Sequence, residues 1–274
     1  MAEPPPAASH RPKSELPFFA GLGVLAGVYL LLLVGMLASL AMFTSPEHLW
    51  KALASEEIRY ATRLSLITCT LATILSLWIA VPIGYLTSRF NFRGKTALDA
   101  LIDLPIVLPP LVIGLALLIL FQTPVGRVLE GLVPGGVTFA VPAVILAQFM
   151  VAAAFAVRTM RVTFDGINPR AEAVALTLGC SRGQAFWLVL LPEARHGLVT
   201  AATLAWARSL GEFGPILVFA GATRMRTEVL PTSVFLELSV GNIEAAVAVS
   251  LIMVAVALIV LILARVYGVN KSFL

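Results

Sequence analysis

Two charged side chains inside a long apolar stretch are the first candidates for chemistry in this sequence. Arg208 and Glu212 stand four residues apart in LAWARSLGEFGPILVFAG, residues 204–221. In a helix that spacing places both side chains on one face, where their opposite charges partly neutralise each other. A single charge at the centre of a bilayer costs at least about 2.5 kcal/mol, so the pair needs a reason to be there. Two interpretations stay open: a pair that stabilises one state of a gate, and a buried ion pair that only holds the fold.

Helix-breaking residues occur in two of the apolar stretches. Pro105, Pro109 and Pro110 fall in the third stretch, where each removes a backbone donor and favours a kink. Gly214 follows the charged pair in the fifth stretch and permits a bend or a close helix contact. In a membrane such breaks persist where protein or water covers the freed carbonyl groups, so these residues are candidates for a hinge that lines a pathway. The alternative is a kinked but static helix with Gly114 at a close helix contact.

Motifs for catalysis and for cofactor binding are incomplete. GCSRG, residues 179–183, has the G-x-S-x-G spacing, but its flanks are typical of helices, whereas a nucleophile elbow joins a strand to a helix. The GKT of residues 94–96 lacks the first glycine of a phosphate-binding loop, because Arg89 stands there. H-E-x-x-H does not occur, and Cys69 and Cys180 have no metal-ligand spacing. We therefore expect no catalytic, metal or cofactor site, and an intramembrane enzyme is a second hypothesis without a catalytic constellation.

Long apolar runs must position these residues. The chain has 274 residues, of which 59% are hydrophobic and 12% charged, whereas an ordinary soluble domain carries about a quarter charged residues. A helical span needs about 20 mainly apolar residues. Segments of this kind cover residues 18–43, 64–86, 104–121, 138–157, 198–220 and 245–264. The sequence thus predicts an all-α polytopic membrane protein with six transmembrane helices, and its scattered basic residues form no stripe that would bind nucleic acid.

The distribution of Lys and Arg predicts the orientation. With the N-terminus inside, twelve of these residues lie on the cytoplasmic side and six outside, and Arg208 lies within a span. Positive charge accumulates in cytoplasmic loops, so both termini are predicted to be cytoplasmic. Residues 1–17 are predicted to be a disordered cytoplasmic tail. The first apolar run exceeds the core of a signal peptide, roughly 7 to 15 residues, and is interpreted as a true span, residues 18–43.

A moderately polar segment between the fourth and fifth spans has the local signals of two short helices. Asn168 can cap a helix whose first position is Pro169, and Gly179 suits a left-handed end to that helix. Ser181 and Gln184 have the spacing of a capping box for a second helix. By spacing alone, the segment is a helical hairpin at the membrane surface.

Within that hairpin, EAVALTLG at residues 172–179 and VLLP at residues 189–192 resemble the cytoplasmic EAA loop of ABC importer permeases. The resemblance implies a loop that docks on an ATP-hydrolysing subunit and couples it to the membrane helices. The positions that would carry the coupling are Glu172, Ala173, Gly179, Leu191 and Pro192. The match is not complete, because Val174 stands where alanine is more usual and Leu176 where a basic residue is frequent.

Two further segments, residues 97–121 and 204–221, resemble the third and fifth spans of the molybdate, tungstate and sulfate branch of the same permeases. The resemblance implies a type I importer permease fold, in which one N-terminal helix precedes a five-helix core. The permease domain would cover residues 57–268, with the coupling loop at residues 158–196.

The resemblance also implies a function and a set of partners. The chain would form the pathway for a tetrahedral oxyanion, with molybdate favoured and tungstate or sulfate next. Two ATPase subunits would bind ATP and Mg²⁺, an extracytoplasmic binding protein would deliver the anion, and a second permease copy would complete a homodimer among the lipids of the plasma (bacterial inner) membrane. The alternative is an ion-coupled secondary carrier, which would usually show corresponding interrupted helices in two halves or several intramembrane acids.

Overall fold

Helices form the framework of the computed structural model, which describes residues 16–269. In chain order they are α1 (Leu16–Phe43), α2 (Pro46–Ala54), α3 (Glu56–Arg89), α4 (Lys95–Val107), α5 (Pro110–Gln122), α6 (Pro124–Leu132), α7 (Val141–Gly166), α8 (Pro169–Thr177), α9 (Arg182–Ala185), α10 (Leu191–Glu193), α11 (Arg195–Leu210), α12 (Gly214–Phe219), α13 (Leu230–Ser239) and α14 (Ile243–Val269). No strand occurs within the described residues, and the predicted all-α class is confirmed. Most of the predicted N-terminal tail lies outside them.

Four unbroken helices are long and apolar enough to cross a membrane. They are α1, α3, α7 and α14, with mean hydropathies between 1.9 and 3.2. Helices α4 and α5 make a fifth span only when they are counted together. Helix length and composition therefore leave the predicted number of six spans unconfirmed. Helix α1 belongs to a compact unit of its own that ends at Ser45, and its 28 residues carry no charge.

Helices α3 and α7 run in the same direction through the second unit. At their C-terminal ends, Ser88 Oγ donates a hydrogen bond of 2.6 Å to Asp165 Oδ1. Near their N-terminal ends, Leu64 of α3 and Val144 of α7 belong to one buried cluster. Between the two helices the chain therefore returns from one end of the bundle to the other, and α4 and α5 carry it back.

The third predicted span is broken, which corrects the prediction of one kinked helix over residues 104–121. Helix α4 already begins at Lys95 and continues through Pro105, and α5 begins at Pro110 with its axis turned by 111°. Leu108 and Pro109 are extended between them, because a residue that precedes proline avoids the helical region. Pro110 occupies the first helical position of α5, where the missing donor costs nothing.

The fifth predicted span, residues 198–220, is broken as well. Helix α11 ends at Leu210, where Gly211 caps it, and α12 begins at Gly214. Glu212 therefore lies in the break, which corrects the predicted continuous helix, whereas the predicted pairing of Arg208 with Glu212 is formed. A glycine on each side of the acid explains the interruption, since glycine weakens a helix interior by about 1 kcal/mol relative to alanine.

Small residues let the long helices approach closely. A Cβ atom added at Gly84 of α3 would lie 2.9 Å from Met160 Cβ of α7. About one turn further along α7, a Cβ atom at Gly197 of α11 would lie 2.1 Å from Thr163. Helix α7 is thus packed closely against both α3 and α11, and its burial follows from these contacts.

Candidate functional site

The polar hairpin of α8 and α9 has the caps that its sequence predicts. Asn168 Oδ1 accepts a hydrogen bond of 3.0 Å from the backbone N–H of Arg170, with Pro169 at the first helical position. At α9 the Ser181 and Gln184 side chains form a reciprocal capping box. Both local predictions are confirmed, because each depends only on residues within one turn of the other.

Gly179 makes the turn between the two helices. Its φ of +92° lies in the left-handed region, where a side chain is strained. The backbone N–H of Cys180 donates to Ala175 O and that of Gly179 donates to Leu176 O, each at 3.1 Å. These two bonds make a Schellman motif, which satisfies the last carbonyl groups of α8 and confirms the predicted glycine cap.

Glu172 fastens α8 to the end of the transmembrane helix α3. Its Oε1 accepts a hydrogen bond of 2.7 Å from the Tyr85 hydroxyl, and its Oε2 lies 3.6 Å from Arg89 Nε. The Arg89 guanidinium also donates to Ile167 O, directly before α8. Only 14% of the Glu172 side chain is exposed, so its carboxylate faces α3 rather than the surface. Sequence reasoning placed Glu172 in this loop but missed Tyr85 and Arg89 as its partners.

Tyr85 joins the hairpin to both neighbouring spans. Its ring packs edge-on against Phe164 of α7 at 6.0 Å and against Phe186, which follows α9, at 5.0 Å. Edge-to-face aromatic pairs of this kind add about 0.5–1.5 kcal/mol to the burial of their surface. The hairpin is therefore held to α3 and α7 by one hydrogen bond, one ion pair and a cluster of rings.

The second predicted motif of the loop has a local distortion that the sequence did not suggest. Residues Phe186–Leu190 form a π-helical turn directly before α10, which contains Leu191 and Pro192. Pro192 has no N–H to donate, and its ring crowds the carbonyl one turn earlier, which favours the wider turn. Leu191 is half-buried and Pro192 is exposed. In the sequence, Pro192 was the available signal for this π-helical turn.

An apolar surface remains exposed on the hairpin. Ala173 is exposed, Val174 is 56% exposed and Leu178 is 80% exposed, although all three lie on a polar, capped hairpin outside the long spans. Exposed apolar side chains that cluster in this way are typical of surfaces that bind another protein. We call these three residues the α8 surface.

The breaks of the third and fifth segments lie against each other. A Cβ atom at Gly214 would lie 3.0 Å from Pro110 Cβ, and one at Gly114 would lie 2.7 Å from Pro215 Cα. Each helix thus places a glycine against the first turn of the other. The structure brings Pro109, Pro110 and Gly214 to this helix-break site, whereas Pro105 lies more than one turn earlier within α4. The close contact at Gly114, which was expected for the alternative of a static packing helix, is present.

The charged pair lies beside the same breaks. Arg208 Nη1 is 2.7 Å from Glu212 Oε2, and the Glu212 side chain is 1% exposed while that of Arg208 is 32% exposed. The contact is an ion pair without hydrogen-bond angles, and neither carboxylate oxygen has a hydrogen-bond partner among the described residues. The Arg208 guanidinium also lies 5.9 Å from the centre of the Phe155 ring. A buried carboxylate that is only partly satisfied is costly to the fold.

Gln148 of α7 is a polar neighbour that sequence reasoning missed. Its Nε2 donates to Ser209 O at 3.3 Å, and the backbone N–H of Glu212 donates to the same carbonyl at 3.2 Å. Gln148 is 1% exposed, and its Oε1 has no partner within residues 16–269. An amide in an otherwise apolar run, AVILAQFMVAAA, was the available signal. The break after α11 is therefore surrounded by buried polar atoms.

The chain is similar to known transport proteins along most of its length. Residues 80–269 match the family described as the inner membrane component of binding-protein-dependent transport systems. The molybdenum transport system permease protein of Mycobacterium tuberculosis is 35% identical over 92% of this chain and 94% of its own. The molybdate/tungstate transport system permease protein of Thermococcus kodakarensis is 34% identical over 74% and 76%. The sulfate transport system permease protein of Escherichia coli is 32% identical over 85% and 84%.

A solved structure supports the fold. One chain of a bacterial alginate ABC transporter, crystallised with a periplasmic protein bound to an alginate pentasaccharide, superimposes with a TM-score of 0.76. The match covers 94% of this chain and 96% of that chain, at 18% sequence identity. This structural similarity shows the fold only, whereas the sequence similarity to the permeases above shows the family. The family does not favour the ion-coupled secondary carrier, and the relatives are named as permeases rather than enzymes. The chain belongs to the binding-protein-dependent transport system inner membrane component family and is an ABC importer permease subunit.

Proposed function

We propose that this chain forms the translocation pathway for a tetrahedral oxyanion, with molybdate first and tungstate or sulfate next. The relatives named for these three anions support this choice of substrate class. Two copies of the chain enclose the pathway in the plasma (bacterial inner) membrane, with both termini in the cytoplasm. An extracytoplasmic binding protein delivers the anion, and two separate ATPase subunits bind ATP and Mg²⁺.

The observation that carries the proposal is the anchored hairpin. The α8 surface presents Val174 and Leu178 to the outside, while Glu172 holds the same helix to Tyr85 and Arg89 of α3. A partner that binds the α8 surface therefore pulls on α3 directly. Movement of an ATPase subunit would reach the transmembrane helices through a short hydrogen bond and an ion pair.

The helix-break site supplies the element that can move. The helices are interrupted at two places, around Pro109 and around Glu212, so helical hydrogen bonds are missing there. The two interlocked breaks contact each other through glycine and proline residues. Arg208 and Glu212 stabilise one arrangement of these breaks rather than bind the substrate, because a carboxylate repels an oxyanion. We assign the gate to this site and substrate selection mainly to the binding protein.

The experiment is ATP hydrolysis by the reconstituted complex. The chain, its candidate ATPase and its candidate binding protein are placed in liposomes, and the binding protein is supplied with molybdate, tungstate or sulfate. We expect hydrolysis to rise with the correct anion and the rise to disappear when Gly179 is replaced by leucine. An ATPase that never associates with the chain, or never responds to the binding protein, would contradict the proposal.

A further inference from the structure

A groove on the exposed side of α7 contains a charge that no role described above uses. The groove has a volume of about 540 Å³ and lies between α4, which contributes Ile106, and α11, which contributes Thr200. Its floor includes Phe155, Arg158 and Thr163 of α7. We call it the α7 groove. Its volume is within the range of about 300–1,000 Å³ that is usual for ligand sites.

Arg158 gives the α7 groove a cation that is not neutralised by an ion pair. The side chain is exposed, and it has no salt-bridge partner within the described residues. Arg161, on the next turn, is paired with Asp99 at 2.8 Å, and Arg208 is paired with Glu212. No carboxylate of the described part of the chain lines the groove. The wall formed by these described residues therefore carries a positive charge and no negative one.

A second, smaller cavity on the other side of Arg158 suggests a competing explanation, in which Arg158 has only a structural role. It has a volume of about 210 Å³ and is lined by Asp99, Asp103 and Asp165 as well as by Arg158. Arg161 already contacts Asp99 and Asp165. Asp103 is thus the acid that Arg158 would pair with if its role were only structural. The two explanations differ in what the loss of Asp103 should do.

The hydroxyl groups of the α7 groove do not form a fixed cage. Thr159 and Thr163 donate to carbonyl oxygens of their own helix at 2.8 Å, and Thr200 does so at 2.9 Å. An anion in the groove is attracted by one guanidinium, without a set of preorganised donors around it. Such a site binds weakly, and weak binding is what a transit position needs, because the ion must leave as well as enter.

The groove leads from the helix-break site towards the hairpin end of the bundle. At one end Phe155 is covered by the Arg208 guanidinium, and at the other end Thr163 meets Gly197 of α11. The separation of eight positions between Phe155 and Thr163 corresponds to about 12 Å along the helix. We propose that the α7 groove is a transit site for the oxyanion on the cytoplasmic side of the gate, with Arg158 as the residue that attracts the anion. This inference rests on the proposed function.

The test compares four variants in the reconstituted complex: Arg158→Gln, Arg158→Lys, Asp103→Asn and Arg265→Gln. The last removes an exposed cation near the end of α14, outside the groove. We expect Arg158→Gln to lower oxyanion uptake about tenfold, as the loss of one charge-assisted contact would. ATP hydrolysis stimulated by the binding protein should persist in that variant. Arg158→Lys, Asp103→Asn and Arg265→Gln should transport at nearly the wild-type rate.

Each result has a distinct meaning. Wild-type uptake by Arg158→Gln, or an equal loss in Asp103→Asn, would overturn the transit site. A wild-type complex without stimulated hydrolysis would instead overturn the proposed function, and the transit site with it.

A charge-restoration experiment answers the concern that Arg158→Gln only disturbs folding. In a Cys180→Ser background, Arg158→Cys is treated with a thiol reagent that adds a positive charge or with one that adds a negative charge. The other native cysteine, Cys69, is buried. We expect uptake to recover with the cationic reagent alone. Equal uptake after both reagents would overturn the inference.

Discussion

At the scale of single residues, the role of Glu172 changes once its partners are known. The side chain accepts from Tyr85 and pairs with Arg89, so it positions α8 against α3. We predict that Glu172→Gln weakens this anchor, because a hydrogen bond to a charged group contributes about 1.5–3 kcal/mol. Backbone amide exchange of α8 should accelerate about tenfold or more. Mass-spectrometric hydrogen–deuterium exchange measures this directly.

The control for that prediction is Glu193→Gln. Glu193 is exposed in α10 and lies in the same loop, so its replacement removes the same charge without the contact to α3. Exchange in α8 should be unchanged in this variant. Tyr85→Phe should reproduce part of the Glu172→Gln effect, and equal protection of α8 in all three variants would disprove the anchor.

Glu228 lies between α12 and α13, outside the spans. Because its carboxyl group is buried there, we predict that the stability of the protein depends on pH. Glu228 is 2% exposed, and burial raises the pKa of its carboxyl above the ordinary value, although Ser233 Oγ donates to it at 2.8 Å and Arg224 attracts it. The folded state therefore holds this proton more tightly than the unfolded state does. Its contribution to stability is complete below the unfolded pKa of about 4.3 and is lost as the pH rises through the raised pKa.

Thermal unfolding in detergent at several pH values tests this sign. Glu228→Gln carries no charge at any pH, so it should be more stable than the wild type above the raised pKa, and the difference should shrink towards pH 4. Glu193→Gln, which removes an exposed carboxyl, should show no such trend. A wild type that gains stability relative to Glu228→Gln as the pH rises would refute the assignment.

At the scale of elements, a substitution at Gly179 tests the effect of backbone conformation alone. A Cβ atom there would meet no atom within 4 Å, so only the φ of +92° opposes a side chain. We predict that Gly179→Ala destabilises the hairpin by about 1 kcal/mol, whereas Gly179→Asn is tolerated because asparagine visits the left-handed region. The affinity of the ATPase subunit for each of the two variants measures how far the hairpin is disturbed. Equal binding would show that the turn does not shape the α8 surface, and Gly183→Ala, in open space within α9, is the control.

The contact between α5 and α12 depends on space rather than on backbone conformation. A Cβ atom at Gly114 would lie 2.7 Å from Pro215 Cα, and a backbone atom cannot move aside as a flexible side chain can. We predict that Gly114→Ala costs about 1–3 kcal/mol, the usual effect of overpacking. Gly131→Ala, at an open position of α6, should be neutral or slightly stabilising. Melting temperatures of the two variants in detergent measure the contrast, and equal values would contradict the interlocked breaks.

These elements also mark what could be predicted from the sequence. The caps at Asn168, Gly179 and Ser181 depend on neighbouring residues, and all three are confirmed. The bend of 111° at Pro109 was not predicted, because proline shows where a helix weakens but not how far its halves turn. Beyond the bend, α5 packs against α12, which lies far away in the sequence. Likewise the contact of Tyr85 with Glu172 joins residues 87 positions apart, which no local pattern can report.

At the scale of the whole molecule, the directions in which successive helices run predict the number of membrane crossings, which helix length alone does not decide. Because α3 and α7 are parallel, α4 and α5 must carry the chain across together despite their bend. Helix α11 begins beside the end of α7 at Gly197, and α12 ends where Phe219 O accepts from the backbone N–H of Phe139, just before α7 begins. These two helices therefore cross together as well. Together with α1 and α14, which are each long and apolar enough to span a membrane, this leads us to predict six crossings.

Labelling of single cysteines in intact cells decides between this topology and a re-entrant loop. In a Cys180→Ser background, we predict that Arg127→Cys in α6 reacts with a membrane-impermeant thiol reagent added outside. Arg93→Cys before α4 and Arg265→Cys near the end of α14 should react only after the membrane is opened. All three positions are exposed, so differences in reaction report the side of the membrane rather than burial. If α4 and α5 turned back without crossing, Arg127→Cys and Arg93→Cys would react from the same side, and the two interlocked breaks could not then form a gate across the membrane.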